Sequence, residues 1–427
     1  MNTFFSHCSF LSFLFIKVID GGSTGSRLHI FEFQHNTTTN KTSIVRRGSS
    51  RADVPLSDYA PSNNPNYSKS ATDEDSSAVT VNSTHVADHL IPLFEFASSI
   101  IPEEYHAHTK VTYQATAGMR LVHPKEQNQV YEALWQGLID HPNFKFVGLK
   151  RNDIQTLSGE KEAYFGALAA NYLKGLIDVR LTMGESNEGI SDEQMNIDRP
   201  LGAMDMGGAS MQIVFWPNHE HVPLEDKVYP RDQGSRSLAK CELVNGNSCE
   251  DTAATSLPPN QLNSDDTFAT SYLSYGVDQF KARLWDTWVG ECQMSSEPKC
   301  SEWNVIYDPC GFKGYESVWK GYTLMGTGDA RTCAKEIKRL IPYLNDVVDG
   351  NFENDSGTIG GIKHPVVKGK FFAMSLFFFT LDCLRELSNN DALNLSWPTP
   401  SILELTNALD GLCERHWQQV ILIVFSA

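Results

Sequence analysis

Lys17-Val18-Ile19-Asp20-Gly21-Gly22-Ser23-Thr24-Gly25-Ser26-Arg27-Leu28-His29-Ile30-Phe31 reads as an apolar strand, a glycine turn and a second strand. Leu201-Gly202-Ala203-Met204-Asp205-Met206-Gly207-Gly208-Ala209-Ser210-Met211-Gln212-Ile213-Val214-Phe215 repeats that design. In both, an Asp ends an apolar run, a Gly follows two residues later, and a Ser stands just beyond. Glycines let the chain turn back and bring its N–H groups against a ligand. A hydroxyl on the turn adds a donor, and the Asp before it can hold a cation directly or through water. One such loop would say little. Two matched loops, each opening a strand-rich unit, imply a duplicated lobe and a phosphate-handling enzyme with its ligand in the cleft between lobes.

The 427 residues exceed one small core, so two domains or lobes are expected. A net charge of -17 argues against nucleic acid and anionic membrane as partners. A polyphosphate would then need local compensation from a metal ion, backbone donors or a few basic side chains. Cys8 stands alone near the start, whereas Cys241, Cys249, Cys292, Cys300, Cys310, Cys333, Cys383 and Cys413 all fall in the second half without a CxxC pair. An even set in one region reads as disulfides in an oxidising compartment. The competing reading is scattered buried thiols. Sequons at Asn36, Asn40, Asn66, Asn82, Asn354 and Asn394 point to the secretory side. Phe4 to Ile16 is apolar but short for a membrane span, and cleaving it as a signal peptide would cut close to the first loop. A signal or membrane anchor is therefore expected upstream, and residues 1–16 are assigned to no lobe. Nothing in the sequence fixes an oligomeric state.

The Ser/Asn/Asp/Pro-rich stretch 34–84 is expected to be a surface loop. Helices are expected over His85–Ile101, Lys125–Ile139 and Ser158–Leu176, the last capped by Ser158, and strands over Val111–Thr116 and Phe144–Leu149. Phe371–Leu381 reads as a buried core helix, and Val420–Phe425 as a closing strand or frayed end. Polar insertions occupy 184–199, 242–267 and 346–364. Strands alternating with helices argue for α/β lobes with mixed sheets.

Glu160 and Glu162 open the helix after Ser158 and point to different faces. Glu162 shares its helical face with Phe165, Gly166, Ala169 and Leu173, which would be the packed side. A carboxylate there is costly unless it has a partner or a task, and desolvation would move it toward a general base. The alternative is a pair of acids complementing the helix dipole. In Tyr113-Gln114-Ala115-Thr116-Ala117-Gly118-Met119-Arg120, small residues permit close approach, Thr116 can donate to phosphate, and Arg120 can reach phosphate or form a structural ion pair. Arg27 can neutralise phosphate. Gln212 and Ser210, two apart on a strand, share a face and suit the holding of a water.

Taken in order, Asp20–Arg27, Ala115–Arg120, Ser158–Asn171 and Asp205–Gln212 resemble the conserved regions of the apyrase, or nucleoside triphosphate diphosphohydrolase, family. Ser271–Gly276, Met325–Asp329, Phe371–Ser375 and the segment from Trp397 through Cys413 fit the same family. The first loop is most similar to its Golgi guanosine diphosphatase branch. The resemblance covers nearly all of the chain after Lys17. It implies the two-lobed actin, heat-shock chaperone and sugar-kinase design (RNase H-like). Each lobe would be a mixed sheet flanked by helices, with the active site in the cleft. The lobes would be 17–157 plus 395–427, and 158–394.

The resemblance also implies roles. Asp20 and Asp205 would hold Ca²⁺ or Mg²⁺ through water. Ser23, Thr24, Gly25, Ser26 and Arg27 would bind phosphate from one side, and Gly207, Gly208, Ala209 and Ser210 from the other. Thr116 and Ala117 would line the floor. Glu162 would activate water held by Ser210 and Gln212, removing the terminal phosphate of nucleoside diphosphates such as GDP and UDP, and of triphosphates, in the Golgi lumen or outside the cell. Cys310–Cys333 and Cys383–Cys413 are the pairs most like the family, and Cys241–Cys249 and Cys292–Cys300 rest on proximity. Ala163, Ala167 and Met211 depart from residues usual in the family, at Gly, Trp and Thr or Ser positions respectively. None of these departures removes a group needed for hydrolysis, so activity is expected; Ala163 and Ala167 alone support the alternative of a catalytically impaired nucleotide-binding homologue. A broad ecto-apyrase acting on ATP and ADP is the other alternative. Tyr275 and Tyr315 are placed in core packing rather than against a base.

Overall fold

The structure is a computed structural model that describes residues 11–36, 41–63, 81–177, 200–216, 267–341, 358–359, 362–363, 365, 367, 369–388 and 390–426. By compactness the chain divides into two units, Met1–Asp198 with Gly207–Ser210, and Arg199–Met206 with Met211–Ala427. This division differs from the expected lobes: the Gly159–Lys174 helix falls in the first unit and residues 395–426 in the second.

The first unit is built on β1 (Leu11–Gly22), β2 (Gly25–Asn36), β3 (Lys41–Ala52), β4 (Lys110–Ala115) and β5 (Ile154–Thr156), in the order β3-β2-β1-β4-β5. β1 is antiparallel to β2 and parallel to β4. Alternation puts Phe15, Ile19, Leu28, Ile30, Val111, Tyr113 and Ala115 in one core. Leu90, Leu93 and Phe94 join it, as do Val130, Leu134 and Leu138 of the Pro124–Asp140 helix.

Three expectations change here. β3 lies inside the stretch read as a loop, because its residues pair with β2 from Lys41 to Ala52, with one register shift at Arg47. The helix expected over 85–101 is two, Ser83–Asp88 and Ile91–Ile100, since Pro92 has no N–H to continue the first. Phe144–Leu149 is not a strand. Phe144 and Phe146 enter the core as loop residues, Phe144 packing edge-on to Phe94 at 4.8 Å, and the sheet edge is β5 instead.

Gly25 has φ +140°, and a Cβ there would collide with the Ala52 carbonyl oxygen. Gly25→Ala is therefore expected to destabilise by about 1–3 kcal/mol or more from backbone strain and clash. A thermal melt matching wild type would contradict this account of the turn.

The second unit carries β6 (Gly202–Met206), β7 (Ser210–Phe215) and β8 (Phe268–Leu273), with the Phe371–Ser375 strand on the other side of β6. β6 is antiparallel to β7 and parallel to that strand. Both sheets thus place an Asp-bearing strand between an antiparallel hairpin partner and a parallel neighbour. Asp20 stands opposite Arg27 in one hairpin, and Asp205 opposite Gln212 in the other.

Phe371–Leu381 is a strand followed by the Leu376–Ser388 helix, and Phe378 and Phe379 are exposed, not core. Val420–Phe425 lies in a helix, Trp417–Ser426. Cys292–Cys300 and Cys310–Cys333 are disulfides. Among the described residues Cys383 and Cys413 are free thiols and do not pair with each other, correcting the expected pair. Their neighbours, Leu384 on the Leu376–Ser388 helix and Leu412 on the Ile402–Cys413 helix, belong to one buried cluster, and Cys383 is at the surface. Cys241 and Cys249 lie outside the described residues. Among the described residues no helix is long and apolar enough to cross a membrane.

Candidate active site

The first loop is anchored from beneath. The Thr116 N–H and hydroxyl both donate to the Gly21 carbonyl, at 2.9 and 3.3 Å. A Cβ at Gly21 would meet the Tyr113 ring at 2.6 Å, and one at Gly118 would meet Ser23 Cα at 3.0 Å. Gly21 thus lies close against the Tyr113 ring and Gly118 against the Ser23 backbone, where the sequence put its small residues. Ser26 is fully buried with its hydroxyl 2.8 Å from that of Tyr113, which braces β2 against β4. Burial pushes the Tyr113 phenol up, which keeps it protonated and able to bond. Ser23 is half-buried, and Thr24 and Arg27 are exposed. The Thr24 carbonyl accepts from Arg51 at 3.2 Å, pinning the turn from outside.

Beyond Thr116 the chain makes one helical turn, Ala117–Arg120. Arg120 lies on it, largely buried. Its Nη2 donates to Glu162 Oε2 at 2.7 Å and to Ser210 Oγ at 3.0 Å. Glu162 is positioned by a well-capped helix, Gly159–Lys174, in which the Ser158 hydroxyl accepts from the Lys161 N–H at 3.3 Å. Ser210 belongs by compactness to the first unit with Gly207, Gly208 and Ala209. The Gly207 N–H donates to the Ser210 carbonyl at 2.9 Å, which closes that turn. One guanidinium thus gathers a carboxylate and a hydroxyl from elements far apart in sequence. Such a group can take a proton from water and hold an anion beside it.

Glu162 does not lie on the packed face that the apolar spacing predicts. The buried face is Ala163, Ala167 and Asn171, while Phe165 is 49% and Leu173 84% exposed. Glu162 sits on the shoulder of the helix, with 23% of its side chain exposed. Arg120 is its ion-pair partner there. Arg120 was legible as a choice between phosphate and ion pair. What marked it was an Arg closing a run of small residues after a strand, in an acidic chain.

Asp205 and Gln212 stand in the second unit. Gln212 is buried, and its Nε2 donates to the Ser271 hydroxyl of β8 at 3.3 Å. Tyr275 is half-buried under the Arg283 guanidinium, 5.1 Å from its ring centre. Tyr315 is 41% exposed against Trp417, so it is not a core residue.

A model of the GDA1/CD39 (nucleoside phosphatase) family matches residues 13–424. The Golgi apyrase of Schizosaccharomyces pombe is 27% identical over 407 residues, 94% of this chain and 60% of that protein. The Golgi apyrase of Saccharomyces cerevisiae is 26% identical, covering 95% of this chain and 58% of that one. The chain thus spans about three-fifths of their length. Ectonucleoside triphosphate diphosphohydrolase 1 of Rattus norvegicus is 26% identical, covering 94% and 68%. A crystal structure of nucleoside triphosphate hydrolases from Neospora caninum aligns with TM-score 0.57 at 16% identity, over 95% of this chain and 79% of that one, which shows a shared fold.

Proposed function

The chain belongs to the GDA1/CD39 (nucleoside phosphatase) family, and from that premise we propose that it hydrolyses the terminal phosphate of nucleoside diphosphates, GDP and UDP among them, and of triphosphates. The observation that carries the reading is the Arg120 guanidinium bonded to both Glu162 and Ser210. Glu162 would take the proton of an attacking water. Ser210 and Gln212 would hold that water in line with the terminal phosphorus. Ser23, Thr24, Gly25 and Arg27, with the backbone of Ser26, would receive phosphate oxygens from one loop, and Gly207, Gly208, Ala209 and Ser210 from the other. Thr116 and Ala117 fix the floor under the first loop. No covalent phosphoenzyme is needed, because a base and a water suffice for direct displacement.

Among the described residues no three His, Cys, Asp or Glu side chains cluster. The described donors therefore make no all-protein cage. Asp20 and Asp205 each stand near a strand end before a glycine turn, a position where a carboxylate would hold, through water, a cation that arrives with the nucleotide, as Mg²⁺ does and Ca²⁺ tolerates. When bound, that cation would offset charge on the transferred phosphoryl group. The two disulfides and the Golgi and ecto-enzyme relatives support a lumenal or extracellular setting.

The test is phosphate release from GDP, UDP, ADP, ATP and GTP with Mg²⁺ or Ca²⁺, then with chelator. Release from diphosphates, abolished by chelator, is expected. Equal or better use of ATP and ADP would favour the ecto-apyrase reading. Nucleotide binding without release would overturn hydrolysis in favour of an impaired homologue.

A further inference from the structure

The guanidinium of Arg120 is used unevenly. Arg carries five N–H donors in a rigid fork. Here Nη2 serves both Glu162 Oε2 and Ser210 Oγ, while Nε and Nη1 are buried and have no hydrogen-bond partner among the described residues. An arginine placed only to tie a helix to a strand end would be expected to spread its donors over nearby carbonyls, because unpaired buried donors are costly. This one is held where a single nitrogen meets the base and the neighbouring hydroxyl at once. The geometry of its support is tight. Gly118, two residues earlier, lies against the Ser23 backbone, and the Thr116 N–H bonds to the Gly21 carbonyl, so the turn that carries Arg120 is registered to the first loop.

We infer that Arg120 is a positioning residue for the hydrolytic step: it holds Glu162 and Ser210 as one unit at a fixed distance from the first loop. The inference rests on the proposed hydrolysis and deepens it. Arg120 would act through Glu162, keeping its carboxylate aimed at the water that Ser210 orients. Misaiming a base by about an ångström costs on the order of 10²-fold in rate. A Lys at this position keeps the charge, but its ammonium has a shorter reach on a flexible stem and is not held in a plane, so it fixes the two partners less firmly.

The experiment compares wild type, Arg120→Ala, Arg120→Lys, Glu162→Gln and the Arg120→Ala/Glu162→Gln double variant, each in full-length protein with thermal melts alongside. Arg120→Ala is expected to lower kcat about 10–100-fold with KM changed less than about threefold. Arg120→Lys should fall between it and wild type. Added guanidinium chloride at millimolar concentration should restore part of the activity of Arg120→Ala and none of that of Glu162→Gln. The double variant should be no slower than Glu162→Gln, because the arginine has nothing left to aim. Full activity in Arg120→Ala would overturn the inference. So would a double variant slower by the product of the two single losses, or a loss carried by KM alone. If Arg120→Ala does not fold, Arg120→Lys decides: wild-type kcat there overturns it. Wild-type protein that releases no phosphate from any nucleotide would sink the hydrolase reading, and this inference with it. Active wild type with an indifferent Arg120 would sink this inference alone.

Discussion

Glu162→Gln is expected to lower kcat for phosphate release by about 10²–10⁴-fold while leaving metal–nucleotide binding largely intact. The substitution keeps the shape of the side chain and one carbonyl oxygen to accept from Arg120, so the local geometry is perturbed little. What it removes is the ability to take a proton. The competing role, an acid in the first turn complementing the helix dipole, predicts a very different result. Such an acid is worth about 0.3–1 kcal/mol of stability at an exposed site and has no bearing on turnover. Glu160, exposed in the same first turn, serves as the internal comparison, because it has the dipole role without the Arg120 contact. Steady-state phosphate release, with nucleotide affinity measured by calorimetry, separates the two. Normal turnover in Glu162→Gln would refute the base assignment outright. Reduced affinity with unchanged kcat would make Glu162 a binding group.

The residues that carry this argument were unevenly legible. The paired Asp-glycine turns were readable because each combines a period-2 apolar run with residues that only a turn tolerates. The hairpins formed where those signals lay, closing at Gly22–Gly25 and at Gly207–Ser210. The helix bearing Glu162 was readable from Ser158 at its cap, and Gly175 with φ +78° ends it. Its buried face was not. Phe165 and Leu173 are apolar yet exposed, and the packed residues are two alanines and an asparagine that bonds back to Ala167 at 2.8 Å. Small residues pack a helix closely without raising local hydropathy, so periodicity alone points to the wrong side. Phe144 and Phe146 misled in the opposite direction. An apolar run that fills a core as loop looks like a strand until the partner strands are known. The pairing of Cys383 with Cys413 failed because family likeness places cysteines near one another without fixing which way each faces. Arg120 was visible as a residue type, but its two partners come from 42 and 90 residues away, and no local pattern encodes such a meeting.

Lys17 carries the second large expectation. It lies on the core face of β1 between Phe15 and Ile19, fully buried, opposite Ile30 on β2 and Val111 on β4. Among the described residues its Nζ has no hydrogen-bond partner, and it sits over the rings of Phe146 and Phe94. The buried carboxylate on that face of β2, Glu32, accepts from Arg47 and Gln34. Burial lowers the Lys17 ammonium from 10.5 to about 5, so the folded chain holds this amine neutral near pH 7. The unfolded chain binds a proton there that the folded chain does not, throughout the window from about 5 to 10.5. Stability therefore falls as pH is lowered through that window, with a slope of up to about 1.4 kcal/mol per pH unit from this one group. Below about 5 the folded state takes up the proton as well, and the contribution stops changing. Lys17→Met keeps the length of the side chain and removes the titration. It should stabilise the first unit by a few kcal/mol, on the order expected for relieving an unpaired buried amine. That corresponds to roughly 5–10 °C in melting temperature for a unit of this size. Melts of wild type and variant from pH 6 to 9 read both effects: the wild-type curve should climb with pH and the variant should lie above it with a shallower slope. Parallel curves, or a variant less stable than wild type, would mean that the Lys17 amine reaches water or a partner in solution, and the aromatic enclosure of β1 would have to be redrawn.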